Sequence, residues 1–301
     1  MQSILPQLII NGLIAGAIYA LAASGFSLIY YVVKFQYFSH GAIMSIAAYS
    51  FFVFFNRMGM HYLIAGFLTV VLTILATLIT NWLVYIPLRK RKATSIVMMI
   101  SSILMLIFIS SLILAIFGSS TKFISIAKTK AFDFGLARIT SVQAVIIITS
   151  ILMFFFLWIV LKKTKLGKAM RALADNKDVA KVIGINPEKI YTYAFIISGI
   201  LGAVGGILLG LEQNLYPRMG TPIIIKGFIS STVGGLGSVP GAIIGALFVG
   251  LAENLGLWLP TLFGFNYIDT GYKDIISFTL MLVFLLFRPQ GILGVKLRDD
   301  S

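Results

Sequence analysis

Long apolar segments alternate with short polar connections along almost the whole chain. At about 20 residues per membrane crossing, nine segments qualify, near residues 5–33, 38–56, 62–86, 94–117, 141–161, 191–211, 222–236, 239–259 and 272–287. The second and seventh segments are short or flanked by glycine, which predicts broken or re-entrant helices near 34–44 and 222–241. The pattern therefore predicts an all-α polytopic membrane protein with about eight or nine transmembrane helices.

The composition supports this class. Of the 301 residues, 59% are hydrophobic and 11% are charged, and the mean hydropathy is +0.99, so the apolar share exceeds that of a soluble domain. The first apolar run is longer than the core of a signal peptide and is expected to remain as a transmembrane helix within one membrane domain, 1–301. The absence of cysteine excludes disulfides, thiolate metal sites and cysteine nucleophiles. No metal or cofactor is expected.

Basic residues predict which side of the membrane each connection faces. The polar connection 162–190 carries eight basic residues against three acidic ones and is therefore predicted to be cytoplasmic. The sequence RKRK at 89–92 and the C-terminal tail fall on the same side, whereas 118–140 faces outside despite its four basic residues. Because topology and anionic lipid explain most of the net charge of +14, no nucleic-acid partner is expected.

The connection 162–190 contains a predicted short helix. Asp175 is expected to cap it, Asp178 takes the acidic position of a capping box, and Gly184 ends it. The spacing of Val179, Val182 and Ile183 places them on one apolar face, and the pair Asn186 and Pro187 is expected to begin the next helix. Such a stripe either docks a partner or packs on the chain's own membrane helices. The residues alone leave both interpretations open.

Several stretches resemble a known transporter family. ALADNKDVAKVIGIN at 172–186 resembles the cytoplasmic loop of ABC importer permeases, whose helix docks in a groove of the ATPase. KGFISSTVGGLGSVPGAIIGALFVGLAENLG at 226–256, LFRPQGILG at 286–294 and the apolar stretch 10–43 are similar to the branched-chain amino acid permeases of the LivH and LivM group. Tyr37 and Ser39 depart from that family, where asparagine and alanine are usual.

The resemblance implies a LivH-like permease in a prokaryotic cell (inner) membrane that forms half of a translocation pathway. The implied partners are a second, LivM-like permease, ABC ATPase subunits, an external binding protein and membrane lipid. Branched-chain amino acids are the implied substrates, and the urea and amide permeases of the same family are the alternative. The implied ATPase-coupling residues are Ala174, Asp175, Asp178, Val179, Val182, Ile183 and Gly184.

A glycine-rich stretch interrupts the apolar pattern at 233–241. Glycine permits backbone conformations and close approaches that other residues forbid, and proline removes an amide donor, so the helix is expected to end and restart here. In a bilayer such a break is tolerated inside protein or beside a watery cavity. The alternative is a tight helix contact or a surface loop. The candidates for a pathway or gate are Gly234, Gly235, Gly237, Pro240 and Gly241, with His40 and Gly41 at the other break.

Glu253 lies well inside an apolar segment, where a charged side chain costs about 2.5–3.5 kcal/mol on insertion scales. It needs a partner or water, and we expect it to face the bundle or a subunit interface, with Asn254 beside it. It is either a structural carboxylate or a substrate contact, and it joins the pathway candidates. Lys226 and Arg218 are expected to extend towards the membrane surface.

Internal similarity is weak. The tripeptide Gly-Ala-Ile recurs at 41–43 and 241–243, each at the start of a doubtful helix, and also at 16–18. The first two copies suggest a weak internal repeat, and the third shows how readily such a tripeptide arises in a glycine-rich membrane sequence.

Three classes of function compete. The chain lacks the phosphate-binding motif GxxxxGK[ST], so an ATP-driven importer needs a separate ATPase. An ion-coupled secondary carrier would place several ionisable groups within its spans, where Glu253 is expected to be nearly alone. An intramembrane enzyme would need more than His40 and His61, because neither a nucleophile motif nor a carboxylate pair accompanies them. The importer explains the sequence best.

Overall fold

The computed structural model describes residues 5–125, 131–133, 138–259 and 270–294. The described chain is almost entirely helical. Two short strands, β1 (Ala131–Asp133) and β2 (Arg138–Thr140), form one antiparallel pair. The helices are α1 Leu5–Val33, α2 His40–Phe52, α3 Tyr62–Thr80, α4 Ile86–Lys90, α5 Ser95–Phe117, α6 Ser141–Lys163, α7 Lys165–Asp175, α8 Lys177–Val182, α9 Pro187–Glu212, α10 Gly220–Gly234, α11 Val239–Gly256 and α12 Lys273–Phe287.

The all-α membrane class is confirmed. Within the described ranges, six helical stretches are long and apolar enough to cross a membrane. They account for six of the nine predicted segments. The other three segments coincide with α2, α10 and α12, which have 13, 15 and 15 residues. The six spanning stretches are Leu5–Val33, Tyr62–Lys90, Ser95–Phe117, Ser141–Lys163, Pro187–Glu212 and Val239–Gly256.

Helix α1 forms the centre of the bundle and packs against α9, α10 and α11. Small residues allow this approach, because Gly12 and Gly16 lie directly against the backbone of α11 at Gly250. The outer helices α3, α5, α6 and α12 instead expose large apolar side chains, such as Phe67, which is 68% exposed. These faces suit lipid or a partner protein rather than water.

The first predicted break lies at residues 34–39, between α1 and α2. This segment is not helical, and Lys34 has a φ of 65°. It turns back into the bundle, because His40 at the start of α2 touches Gly25. Gly25 lies eight residues before the end of α1 at Val33, or about 12 Å along the helix. Helix α2 therefore begins inside the bundle rather than at its surface.

The second predicted break lies at residues 235–238, and α10 before it is continuous. Gly235 and Gly237 have φ values of 111° and 83°, a region that favours glycine. The C-terminal segment crosses this turn, where the amides of Ile292 and Leu293 donate to the carbonyls of Val233 and Gly234, both at 2.9 Å. These bonds satisfy carbonyls that the end of α10 leaves free.

The connection 162–190 folds as two helices, α7 and α8, rather than the single short helix predicted. The expectation that Asp175 caps the short helix is wrong, because Asp175 is the last residue of α7. Asn176 is the cap, and its side-chain oxygen accepts from the amides of Asp178 and Val179. Gly184, with a φ of 85°, follows the end of α8 as predicted.

Candidate functional site

The apolar stripe predicted on α8 is present and unpartnered within the described chain. Val179, Val182 and Ile183 are 57%, 87% and 65% exposed, whereas Ala180 on the opposite face is buried. Asp178 is exposed and pairs with Lys181 at 3.2 Å. Of the remaining implied coupling residues, Ala174 is half-buried and Asp175 is exposed. The helix therefore does not pack this stripe onto its own membrane helices.

The membrane helices hold this loop through α9. Asn186 caps α9 and Pro187 is its first residue, as predicted. Lys177 of α8 lies over the ring of Tyr191 at 5.8 Å. The Arg89 guanidinium lies 5.2 Å from the centre of the same ring and 2.9 Å from the Glu188 carboxylate. The Arg89 side chain is 7% exposed and the Glu188 side chain is 44% exposed, so only the arginine end of this ion pair is shielded from water.

An aromatic cluster continues from Arg89 to the break at 34–39. Tyr85 stacks on Phe195 at 5.4 Å, and Tyr37 meets the same ring edge-on at 5.2 Å. The hydroxyl groups of Tyr85 and Ser39 are hydrogen-bonded at 2.7 Å. All four side chains are buried. The two residues that depart from the resembled family, Tyr37 and Ser39, are therefore both part of this cluster.

His40 and Gly41 begin α2 in the interior. His40 is fully buried, and its Nδ1 lies 3.2 Å from the Ser198 hydroxyl on α9, so it makes the interhelical hydrogen bond expected of it. Gly41 lies against Gly220, the first residue of α10, so closely that a methyl group on either would overlap the carbonyl of the other. The N-terminal ends of two short helices thus meet within the bundle.

The glycines of the second break make a close backbone contact. A methyl group on Gly234 would overlap the Gly241 carbonyl, and the reverse also holds. Gly235 lies directly against Gly294 of the C-terminal segment. Pro240 lies exposed in the first turn of α11, whose cap is Ser238. This geometry favours the tight helix contact at Gly234 and Gly241.

Glu253 is the centre of a buried polar network. Its carboxylate lies 2.9 Å from the Lys226 ammonium of α10, accepts from the Tyr19 hydroxyl of α1 at 2.9 Å, and accepts from Ser277 of α12. Lys226 also contacts the Tyr19 hydroxyl at 3.1 Å and Asp274 at 3.2 Å. Four helices therefore meet at one set of charge-assisted contacts, which are stronger than neutral hydrogen bonds.

Two expectations about this network were wrong. Glu253 is not nearly alone, and Lys226 does not extend to the surface, because its side chain is 12% exposed and faces the carboxylate. The sequence held a signal for the pair, since Lys226 is the only charged residue of α10. What the sequence could not supply was the contact between α10 and α11 that brings the two residues together.

The structure does not gather the predicted residues into one site. The α8 stripe and the second break lie at one end of the bundle. Glu253 lies 14 residues beyond Val239, the start of α11, which is about 21 Å along the helix. His40 lies beside Gly25 of α1, and Gly41 lies beside Gly220, the first residue of α10. The predicted residues therefore follow the length of the bundle in three separate clusters.

Comparison with known proteins places this chain among transport proteins. A sequence profile of the family described as branched-chain amino acid transport system / permease component matches residues 8–285. The chain is 32% identical to the high-affinity branched-chain amino acid transport system permease proteins BraD of Pseudomonas aeruginosa and LivH of Escherichia coli K12. Each comparison covers 96% of this chain and 95% of the relative.

A third relative has the same level of identity. The chain is 32% identical to the probable branched-chain amino acid transport permease protein LivH of Methanocaldococcus jannaschii, over 96% of this chain and 93% of that protein. Among solved structures, PsaBC from Streptococcus pneumoniae in complex with Fab aligns at 15% identity with a TM-score of 0.46, over 96% of this chain and 91% of that chain. That score is too low to establish a shared fold.

Proposed function

The chain belongs to the family of branched-chain amino acid permeases, and from this premise we propose that it forms half of the translocation pathway of a binding-protein-dependent ABC importer. It is a transport component and not an enzyme. The observation that carries the proposal is the exposed apolar stripe of Val179, Val182 and Ile183 on a capped helix that α9 holds in place. Branched-chain amino acids are the substrates that the family favours.

The partners follow from what the chain lacks. Because its sequence has no phosphate-binding motif, ATP hydrolysis belongs to separate ATPase subunits. Permeases of this kind work in ABC importers together with an ATPase and an external binding protein. We propose in addition that the second half of the pathway is a LivM-like permease. Docking of the ATPase on α8 would remove these three exposed apolar side chains from water, which favours association.

The orientation is supported by charge. Basic residues cluster at the end of the bundle that carries α7 and α8, where Arg89 also pairs with Glu188. The positive-inside bias makes this end cytoplasmic. The C-terminal segment contacts the end of α10 at the same end, so it too is cytoplasmic, and the N-terminal end of α1 faces outside. Family membership supports a prokaryotic cell (inner) membrane as the location.

Nine helices would then enter the membrane, and α2 and α10 would cross it only in part. The contact of Gly41 with Gly220 supports this arrangement, because it places the first turns of both helices inside the bundle. Transporters use such discontinuous helices at sites where backbone groups must face a ligand or a neighbouring helix. The internal repeat remains a prediction, supported by α2 and α11 each beginning directly after a break.

The role of the breaks also remains a proposal. His40 and Gly41 lie where a pathway through the bundle would narrow, and Gly235 and Gly237 lie at the cytoplasmic end, where a gate would close. The positive φ values of Gly235 and Gly237 and the backbone contact of Gly235 with Gly294 support a fixed turn that can tolerate little added volume. Pro240, Gly234 and Gly241 would act by keeping α10 and α11 in contact.

An ion-coupled carrier is the main alternative. The network around Glu253 supplies the intramembrane ionisable groups that such a carrier needs, so a shortage of such groups does not exclude a carrier. Family membership still favours the importer over this class, and a urea or amide permease would share the same architecture. Transport assays on the chain with and without its partners distinguish the two mechanisms, and competition with unlabelled urea or amides identifies the substrate.

A further inference from the structure

A polar cavity of about 410 Å³ opens into the bundle next to the Glu253 network. It lies at the end away from α7 and α8, because Glu212, which lines it, is the last residue of α9, and α9 begins beside that loop. Its volume falls within the range of small-molecule sites, about 300–1,000 Å³. Its main polar lining residues are Asn11, Gln143, Glu212, Lys226, Asn254 and Lys273.

The charged group at the floor of the cavity is already fully paired. Lys226 reaches the floor from α10, but its ammonium already contacts Glu253, Asp274 and the Tyr19 hydroxyl. Removing Lys226 from these partners would leave a buried carboxylate unpaired, which is strongly unfavourable. The network therefore fixes the shape of the floor and has little capacity left for a ligand.

The sides of the cavity carry two charges that form no salt bridge within the described residues. Lys273 of α12 donates to the side-chain oxygen of Asn254 at 3.2 Å, and Glu212 of α9 accepts from the Gln143 amide at 3.2 Å. Both partners are neutral amides. One cation and one anion thus line the same cavity, and each has bonding capacity to spare.

This pair of charges matches a zwitterion. Lys273 can bind a carboxylate, Glu212 can bind an ammonium group, and the Asn11 amide can bind either one. Ile14 and Ile18 of α1 also line the cavity and offer contact to an aliphatic side chain. A singly charged molecule would leave one of the two protein charges unsatisfied.

We propose that this cavity is a binding site for the zwitterionic group of a small aliphatic amino acid. The inference rests on the proposed function. It adds a binding site on the outer side of the permease, where substrate released by the external binding protein would first be held. An ethanolamine phospholipid headgroup carries the same pair of charges, a phosphate and an ammonium. The test must therefore separate a free amino acid from a lipid.

The test uses the permease pair with its ATPases, without the binding protein, in nanodiscs of phosphatidylglycerol and phosphatidylcholine, which lack a primary amine. Saturation-transfer NMR should detect leucine and give weaker signals for 4-methylpentanoate, which lacks the ammonium, and 3-methylbutylamine, which lacks the carboxylate. Lys273→Met and Glu212→Gln should each weaken leucine binding about tenfold, the loss expected for one charge-assisted hydrogen bond. The matched control is Lys122→Met, a half-buried lysine near the same end of the bundle.

Three results would overturn the inference. The first is leucine binding that neither variant changes, and the second is binding of 4-methylpentanoate as tight as that of leucine. The third is a lipid occupant. It would be shown if phosphatidylethanolamine co-purifies with the wild type but not with the variants, and if adding it to the nanodiscs blocks leucine binding.

A parallel assay separates this inference from the proposed function. ATP-driven leucine uptake by proteoliposomes that contain all partners and the binding protein tests the importer itself. If the wild type transports and both variants match it in leucine binding and in the KM of uptake, only the cavity assignment fails. If the wild type does not transport although it assembles and hydrolyses ATP, the proposed function fails.

Discussion

At the residue scale, Lys226 and Glu253 form the most consequential contact in the bundle. The carboxylate is fully buried and the lysine side chain is 12% exposed, so each charge depends on the other. A buried pair of this kind need not add net stability, yet removing one partner is costly because the other is left uncompensated. The pair is best understood as fixing the relative position of α10 and α11.

Lys226→Met is therefore expected to destabilise the protein by about 3–5 kcal/mol. Combining it with Glu253→Gln should recover part of this loss, because no buried charge then remains. The effect is measured by thermal unfolding in detergent, with the loss of monodispersity as the readout. Asp274→Asn is the control, since Asp274 is 62% exposed and its loss should cost far less. Equal stability of Lys226→Met and wild type would show that Glu253 is solvated.

The hydrogen bond between Tyr85 and Ser39 gives a second prediction at this scale. Tyr85→Phe should cost about 1 kcal/mol, because it leaves a buried hydroxyl without its partner. Adding Ser39→Ala should cost little more, so the double-mutant cycle should show a coupling of about 0.5–1.5 kcal/mol. Additive losses would mean that the two hydroxyl groups do not interact.

Sequence reasoning located the important residues better than it paired them. The burial of Glu253 follows from its place in an apolar segment, and the interhelical bond of His40 follows from a polar ring in the same setting. The partner of Glu253 lies 27 residues earlier on another helix, and no local rule specifies that distance. The cap of α8 was misplaced by one residue, because Asp175 and Asn176 are both good caps and the preceding α7 was not foreseen.

At the element scale, the turn between α10 and α11 has the least room for change. Gly241→Leu would drive a side chain into the Gly234 carbonyl. Gly235→Leu would drive one into the backbone of Gly294 and would force a φ of 111° on a branched residue. Each is expected to abolish transport and to leave some assembled protein in the membrane. Gly66→Leu is the matched control, because open space surrounds Gly66 and no loss is expected there. The measurement is uptake, normalised to the amount of each variant in the membrane. Normal uptake by both Gly241→Leu and Gly235→Leu would exclude a narrow gate at this turn.

The α8 element should couple ATP hydrolysis to import. Asn176→Ala removes the cap, which is worth about 0.5–2 kcal/mol, and should fray a helix of only six residues. Gly184→Leu should misplace the same stripe, because Gly184 has a positive φ. Both are expected to reduce ATPase stimulation by liganded binding protein, whereas Lys168→Ala should behave as wild type, because Lys168 is an exposed residue of α7 outside the implied coupling set. If all three variants retain full stimulation and co-purify with the ATPase, the coupling element lies elsewhere.

The elements themselves were largely predictable. Runs of apolar residues bounded by glycine, proline and charge place helix ends within a few residues, which is why the nine predicted segments coincide with helices. Helix α7 was missed because its sequence is rich in lysine and only one of its faces is buried, at Gly167, Met170 and Leu173. The depth of α2 in the bundle could not be predicted either, because it depends on the bonds of Phe38 to Ser102 and of His40 to Ser198 rather than on the local pattern.

At the scale of the whole molecule, the proposed orientation makes a direct prediction. The chain has no cysteine, so single cysteines can be introduced without a background signal. In intact cells, a membrane-impermeant maleimide should label Phe123→Cys and should not label Val182→Cys until the membrane is permeabilised. Both positions are exposed, so a difference reports sidedness rather than burial. Labelling of Val182→Cys in intact cells would reverse the topology.

The central claim is that this chain transports only as part of an ATP-driven assembly. The measurement is uptake of radiolabelled leucine into two sets of proteoliposomes, one with the purified chain alone and one with the second permease, the ATPases and the binding protein. We expect uptake only in the complete set, only with ATP on the side of α8, and no response of the chain alone to a proton or sodium gradient. Gradient-driven leucine uptake by the chain alone would contradict the account.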